Sequence, residues 1–249
     1  MSEPVIFLSR LRLNAGDRQV QRDLRDPYQM HKTLARAWGE GDDYQTARVL
    51  FRVEEAQEKA QGEAACVLVQ SLTAPDWSRV PPKYLQAPAQ LKRWTPSLQA
   101  GQSLRFCLLA NPTVKRDGKR LGLYGEVEQL LWLARKAQAC GIAFSMTQMK
   151  HRDGLASVPD VVAAMLGQRE TEEREGAPEA HFTRLRCQVG QHQPGDGESS
   201  GRTQSAAFCA VRFEGALRVA DPELLAQAIR AGVGSGKAMG FGLISLARA

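Results

Sequence analysis

Tyr28 and His31 stand three residues apart in the segment Arg25-Asp26-Pro27-Tyr28-Gln29-Met30-His31-Lys32-Thr33-Leu34. If that segment is helical, a spacing of three puts both side chains on one face. An imidazole that titrates near neutrality and a phenol, held at the positive end of a helix dipole, are equipped to handle a phosphate and its proton transfers. The competing reading is structural. His31, Leu34, Ala35 and Trp38 follow i, i+3, i+4, i+7, which places His31 on the apolar stripe as a packing residue at a core edge.

A second group of residues lies at Gly232-Val233-Gly234-Ser235-Gly236-Lys237-Ala238-Met239-Gly240-Phe241-Gly242. Glycines at this density let the backbone approach a ligand and turn N–H groups toward it, with Lys237 adding charge. Equally, they suit a tight crossover from helix to strand. A Walker A reading fails, because Ala231 stands where the first glycine belongs and Ala238 replaces the magnesium-binding Ser or Thr. The third group is Asn111-Pro112-Thr113-Val114-Lys115-Arg116-Asp117-Gly118-Lys119-Arg120, where Lys115, Arg116, Lys119 and Arg120 form a dense basic cluster. It reads either as a solvated loop or as an arm on a phosphate backbone, whose binding would weaken steeply with salt. Arg135 and Lys136 either extend that surface or form the solvent face of an amphipathic helix.

Composition narrows the field. The chain of 249 residues carries a formal charge of +6, with 43% hydrophobic and 24% charged residues. These are values of an ordinary globular protein with a lean toward polyanionic partners. Aromatic content of 6% and the lack of an RNP-type signature favour grip on a backbone or a structured hairpin over single-strand stacking. No apolar run of about 18 residues argues for a membrane span, and the acidic start Met1-Ser2-Glu3-Pro4 lacks a signal-peptide pattern. Cys66, Cys107, Cys140, Cys187 and Cys209 are scattered and odd in number, which predicts reduced thiols and a cytoplasmic protein. The dispersed His31, His151, His181 and His192 give a zinc site no support.

The elements that must position these residues follow from periodicity and punctuation. Asp26 is an N-cap with Pro27 at the first helical position and Gln29 placed to close a capping box; Gly39 ends the helix. Before it, 5–13 alternates as a strand and 14–25 reads as a polar loop. Strands are predicted at 48–53, where Val49, Phe51 and Val53 alternate opposite Arg48 and Arg52, and at 65–71. The proline-rich span 73–100 reads as a boundary or long connection pinned by Trp77, Tyr84 and Trp94. The pattern then restarts with a strand at 104–110 and a helix at 126–139 whose apolar face is Val127, Leu130, Leu131 and Ala134. Strands are expected at 142–149, 182–189, 206–213 and 241–246. A short helix is read at 157–168, an acidic stretch through 179, a polar loop at 190–202, and a helix capped by Asp221-Pro222 and ended by Gly232. This order predicts an α+β protein of two tandem ferredoxin-like (RRM-like) domains with antiparallel sheets. The N-terminal domain spans 1–95 and the C-terminal domain 96–249.

The ordered set of motifs closely resembles the CRISPR repeat-processing endoribonucleases of type I-E Cascade, the CasE group. The residues that carry the likeness are Leu-x-Leu-Asn at 11–14, Arg-Asp-Leu-x-Asp-Pro-Tyr-x-Met-His-Lys-Thr-Leu at 22–34 and Val-Leu-Val-Gln-Ser-Leu-Thr-x-Pro-Asp-Trp-Ser at 67–78. Leu-Arg-Phe-x-Leu-x-Ala-Asn-Pro at 104–112, Gly-Lys-Arg at 118–120, Phe-Glu-Gly at 213–215 and the glycine-rich segment complete it. The resemblance implies a metal-independent RNase that uses no cofactor. Such an enzyme binds the hairpin of a CRISPR repeat in precursor RNA and cuts at the 3′ base of the stem. It implies retention of the mature guide RNA and assembly with other Cascade subunits. It assigns catalysis to Tyr28, His31 and, more loosely, Arg36. RNA contact falls to Lys115, Arg116, Lys119, Arg120, Arg135 and Lys136, and to the glycine-rich loop with Gly234, Gly236 and Lys237. The expected chemistry is attack of a ribose 2′-OH on its own phosphate, giving a 2′,3′-cyclic phosphate and a 5′-OH. Two rivals stand beside it: a non-catalytic RNA-hairpin-binding subunit of a ribonucleoprotein, in which His31 is structural, and a nucleotide-binding protein using the glycine loop.

Overall fold

The computed structural model describes residues 5–39, 42–54, 65–144, 179–181, 188–190 and 205–248. Strand β1 (Ile6–Arg12) buries Ser9 and Leu11 while Arg10 and Arg12 face solvent, as alternation requires. The stretch read as a polar loop contains helix α1 (Arg18–Arg25). Asp17 caps it by accepting the Gln19 and Val20 N–H groups at 2.8 and 3.2 Å. Its inner face is largely polar: beside Val20, the buried Asp23 accepts the Tyr84 hydroxyl at 2.9 Å. An apolar-periodicity test is blind to such a helix.

Helix α2 (Pro27–Ala35) begins as predicted, with the Asp26 carboxylate accepting from the Tyr28 N–H at 2.9 Å. The reciprocal bond expected from Gln29 does not form among the described residues. A 3₁₀ turn (Arg36–Trp38) continues the helix to Gly39. A further short helix, α3 (Asp42–Ala47), goes beyond the predicted elements; strands β2 (Leu50–Glu54) and β3 (Cys66–Ser71) follow. The proline-rich connection holds a 3₁₀ turn (Trp77–Arg79) and strand β4 (Gln90–Trp94), which pairs antiparallel with β1. The predicted pins hold: Trp77 Nε1–H donates to Ser9 Oγ at 2.9 Å and Tyr84 is fully buried. The sheet order is β2-β3-β1-β4.

The second sheet repeats this plan. Strand β5 (Ser103–Ala110) precedes a hairpin of β6 (Thr113–Arg116) and β7 (Lys119–Gly122), then helix α4 (Glu126–Ala139) and strand β8 (Ile142–Ala143). Short strands β9 (Glu179–His181), β10 (Gln188–Gly190) and β11 (Ser205–Ala207) lead to β12 (Val211–Val219), α5 (Pro222–Ala231) and β13 (Ile244–Arg248). The main path is β13-β5-β12-β8. Counting β5, β8, β12 and β13 as first to fourth, both sheets read fourth-first-third-second with antiparallel neighbours. That is the split β-α-β arrangement of ferredoxin-like domains. In the first sheet a proline-rich turn stands where a second helix would be.

Several boundaries shift. The strand predicted at 206–213 divides into β11 and a β12 that runs on to Val219, with Gly215 inside the ladder opposite Phe106. The last strand starts at Ile244, after the glycine segment has finished turning. On α4, Val127 is 45% exposed, and Trp132 and Leu133 supply the buried face instead. On α5, Leu225 and Ile229 are buried but Leu224 is not. The strands read at 142–149 and 182–189 fall partly outside the described residues, and the 157–168 helix, the acidic stretch and the 190–202 loop fall outside or almost so. No helix among the described residues is long and apolar enough to cross a membrane. Cys66, Cys107 and Cys140 are free thiols.

A buried guanidinium joins the two sheets. Arg52, on the face expected to meet solvent, is 2% exposed. It donates to the carbonyls of Cys107 and Leu243 at 3.1 Å each, to Ser245 Oγ at 2.9 Å and to Glu54 at 2.6 Å. Arg212 reaches the other Glu54 oxygen at 3.4 Å, and Gln70 donates to the Ile229 carbonyl at 2.7 Å. Replacing Arg52 by Met strands two carbonyls and half of the Glu54 pairing, so it should cost about 3 kcal/mol of unfolding free energy in urea titrations.

Candidate active site

His31 is half-buried on α2, against α3 and β2. The Tyr44 hydroxyl lies 2.7 Å from its Nε2 and 3.1 Å from its Nδ1. The Tyr44 ring meets it edge-on at 5.4 Å between centroids, and Phe51 stacks on it at 6.5 Å. Burial lowers the His31 pKa from its usual value near 6.5, since the imidazolium loses more hydration than the neutral ring. Of the predicted apolar stripe, Leu34 and Trp38 are buried and His31 sits at its edge. Tyr28 is half-buried with the Lys32 ammonium 4.9 Å from its ring centre, and makes no hydrogen bond to His31 among the described residues. Arg36 is exposed in the 3₁₀ turn that ends α2.

The glycine segment returns to this helix from the other domain. Its central 3₁₀ turn (Lys237–Met239) packs against both α2 and β2. Val233 donates to the Gly242 carbonyl at 2.9 Å and Gly242 to the Leu109 carbonyl at 2.8 Å, closing the loop on itself and on β5. Two glycines are required by close approach. A Cβ on Gly234, at φ +85, would stand 2.9 Å from the Trp132 ring; one on Gly240, at φ +84, would stand 3.1 Å from Phe51. Gly236 is backed by Phe241 and Phe208. Gly234 and Gly236 therefore pack against this chain's own aromatic rings.

Charge converges at the same place. The Lys237 pKa is lowered, chiefly by burial and then by the positive charges of Arg48 and Lys136. No carboxylate pairs with these three cations among the described residues. Lys136 also lies 6.0 Å from the Trp132 ring centre, whereas its neighbour Arg135 is exposed.

Lys115, Arg116, Lys119 and Arg120 project from a defined hairpin, with Lys115 opposite Arg120 and Arg116 opposite Lys119. Asp117 and Gly118, at φ +48 and +75, make its two-residue turn of the type that suits strand twist. A relay ties the hairpin to the glycine loop: Arg120 donates to Thr113 Oγ1 at 3.2 Å, Thr113 lies 3.1 Å from Ser235 Oγ, and Ser235 donates to the Asn111 carbonyl at 3.3 Å. Sequence reasoning missed Tyr44, Arg48, Thr113 and Ser235. Arg48 read as one more outward strand residue, and Tyr44 lies in no periodic pattern. Among the described residues no group of three or more His, Cys, Asp or Glu side chains is arranged to hold a metal ion.

Fold and site together define a two-domain ferredoxin-like protein with an imidazole beside a cationic loop at the domain junction. A family model described as "CRISPR associated protein" matches residues 6–248. The chain is 34% identical over 244 residues to the CRISPR-associated endoribonuclease Cse3 of Thermus thermophilus, covering 97% of this chain and 100% of that one. It is 30% identical over 237 residues to the CRISPR system Cascade subunit CasE of Escherichia coli, covering 90% and 92%. A solved structure of CRISPR endoribonuclease Cse3 bound to a 19-nucleotide RNA superimposes with a TM-score of 0.74 at 34% identity, over 98% of this chain and 99% of that one. The chain belongs to this family of CRISPR-associated endoribonucleases.

Adding a methyl group at Gly234 should displace Trp132 and strain the backbone. Gly234→Ala is expected to lose about 2 kcal/mol of stability, read by urea unfolding.

Proposed function

We propose that this endoribonuclease binds the hairpin of a CRISPR repeat and cleaves precursor RNA at the 3′ base of the stem. It then keeps the mature guide RNA and joins other Cascade subunits, as the names of its relatives suggest. The observation that carries this reading is the packing of helix α2, which bears His31, against the turn bearing Lys237. That pairing puts a proton-transfer group beside cations that no described carboxylate neutralises. A ribose 2′-OH attacks its own phosphate, leaving a 2′,3′-cyclic phosphate and a 5′-OH. His31 is held neutral by burial and is suited to take the 2′-OH proton. Tyr28 orients the reacting groups, since its hydroxyl can both donate and accept a hydrogen bond. Lys237, with Arg36 at the helix end, offsets the charge that develops on the phosphate. The same cations repel a divalent metal, and the reaction proceeds without one.

RNA grip comes from Lys115, Arg116, Lys119 and Arg120 on the hairpin and from Arg135 and Lys136 on α4. Gly234 and Gly236 act by shaping the loop that presents Lys237. Domains spanning 1–95 and 96–249 thus divide the labour between cutting and holding. The free thiols of Cys66, Cys107 and Cys140 fit a reducing cytoplasm. A second reading, a non-catalytic hairpin-binding subunit, draws on the Tyr44 contact, which could make His31 structural.

Four measurements test this. Cleavage of the repeat RNA should persist in EDTA and stop with a 2′-deoxy group at the cut; metal dependence, or cutting of the deoxy substrate, defeats the mechanism. His31→Ala should abolish cleavage while hairpin affinity stays; unchanged cleavage makes His31 structural. Single-turnover rate should fall as pH drops through the lowered His31 pKa, below about 6.5, because the base becomes protonated. Replacing the four hairpin cations by Ala should also flatten the slope of log affinity against log salt by roughly 3.

A further inference from the structure

We infer that Tyr44 is a positioning residue for His31, holding the imidazole by its hydroxyl in both protonation states so that the ring keeps one nitrogen toward the RNA. This rests on the catalytic reading of His31 above. The contact is close: one oxygen stands 2.7 Å from Nε2 and 3.1 Å from Nδ1, the shorter approach being to Nε2. Phe51 stacks on the same imidazole at 6.5 Å between centroids, while the Tyr44 ring meets it edge-on at 5.4 Å. A hydroxyl both donates and accepts. It accepts from the N–H of neutral His31, which leaves the bare nitrogen free for the 2′-OH, and accepts from the same N–H once His31 has taken a proton. The contact need not break during a proton-transfer cycle.

A neutral partner has a further consequence. Burial pushes the Tyr44 hydroxyl pKa up to about 12, so it carries no charge at working pH. A carboxylate in its place would stabilise the imidazolium and raise the His31 pKa. The phenol orients the ring and leaves burial free to keep it a base near neutrality. The titratable and charged groups on the packed elements fit this division. Tyr28 and Lys32 lie on α2 itself, Tyr44 and the exposed Asp43 on α3, Arg48 just ahead of β2 and Lys237 on the turn beyond. Arg52 on β2 is committed to the domain junction.

Two variants of the full-length protein test the assignment. Tyr44→Phe keeps the ring and removes the hydroxyl. The single-turnover rate on saturating repeat RNA should fall on the order of tenfold, as when an imidazole loses its orienting partner, with hairpin affinity unchanged. Tyr44→Glu puts a carboxylate against the ring. The His31 titration, followed by long-range proton–nitrogen NMR without RNA, should move up by about one unit, and the acidic limb of the rate profile should move with it. Wild-type or faster cleavage by Tyr44→Phe, or a His31 titration unchanged in both variants, overturns the assignment. The NMR titration does not require cleavage. An unaltered titration with cleavage still dependent on His31 defeats the role of Tyr44 alone, whereas cleavage that survives His31→Ala defeats the catalytic reading while leaving the contact measurable.

Discussion

The structure depends on one buried guanidinium. Arg52 leaves β2 and directs its donors to carbonyls of β5 and of the segment entering β13, to Ser245 and to Glu54. Only Arg offers several donors in a fixed planar fork, so the contact sets both the spacing and the angle of one sheet against the other. Such an ion pair is weak evidence for added stability, because dehydrating it offsets most of its attraction. What it supplies is uniqueness of arrangement. Burial pushes the Cys107 thiol beside it up to about 12. If the sheets were hinged instead, α2 could not meet the turn bearing Lys237, and the imidazole and the cations would belong to two separate surfaces.

That junction also explains why the site is electrostatically uneasy. His31 and Lys237 are both depressed, so each binds a proton more readily in the unfolded chain. The sign is the same for both. Stability falls as pH drops through the unfolded His value near 6.5. At neutral pH a charged Lys237 beside Arg48 and Lys136 lowers the stability of the folded state, a cost relieved only as alkali removes its proton. A fold chosen for stability alone would place a carboxylate there. A surplus of positive charge, by contrast, is what a phosphate neutralises on arrival, and binding then restores the stability that the unpaired cations remove.

How much could be read beforehand follows from which interactions leave a local mark. Asp26-Pro27 and Asp221-Pro222 announce α2 and α5 because caps act within one turn, and β5 alternates cleanly because one face meets a core. Helix α1 escaped notice because its buried contacts are a carboxylate to Tyr84 and an amide to a hydroxyl, which look like surface chemistry in a sequence. Strand β4 escaped because Gln90–Trp94 lies at the sheet edge with little buried apolar surface. Arg52 was misread for the deepest reason: alternation says which side of a sheet a residue occupies, but not whether another domain covers that side. Tyr28 and His31 were singled out by spacing, yet the partner that His31 meets comes from a short helix without periodicity.

The glycine segment shows how packing and function are tied in this chain. Its glycines are demanded by rings: Trp132 at Gly234, Phe51 at Gly240, Phe241 and Phe208 at Gly236. Trp132 belongs to α4, the helix that carries Lys136, and Phe51 stacks on His31. Contact is therefore continuous from the basic helix through the loop and β2 to the imidazole, while Ser235 ties the same loop to the basic hairpin. Spatial continuity is not by itself energetic coupling. It does mean that a displacement of α4 or of the hairpin must be absorbed by a loop whose positive-φ glycines leave no room for a side chain. A rigid loop of that kind keeps the imidazole and the basic hairpin at a fixed distance, as the proposed single cut at the foot of one stem requires.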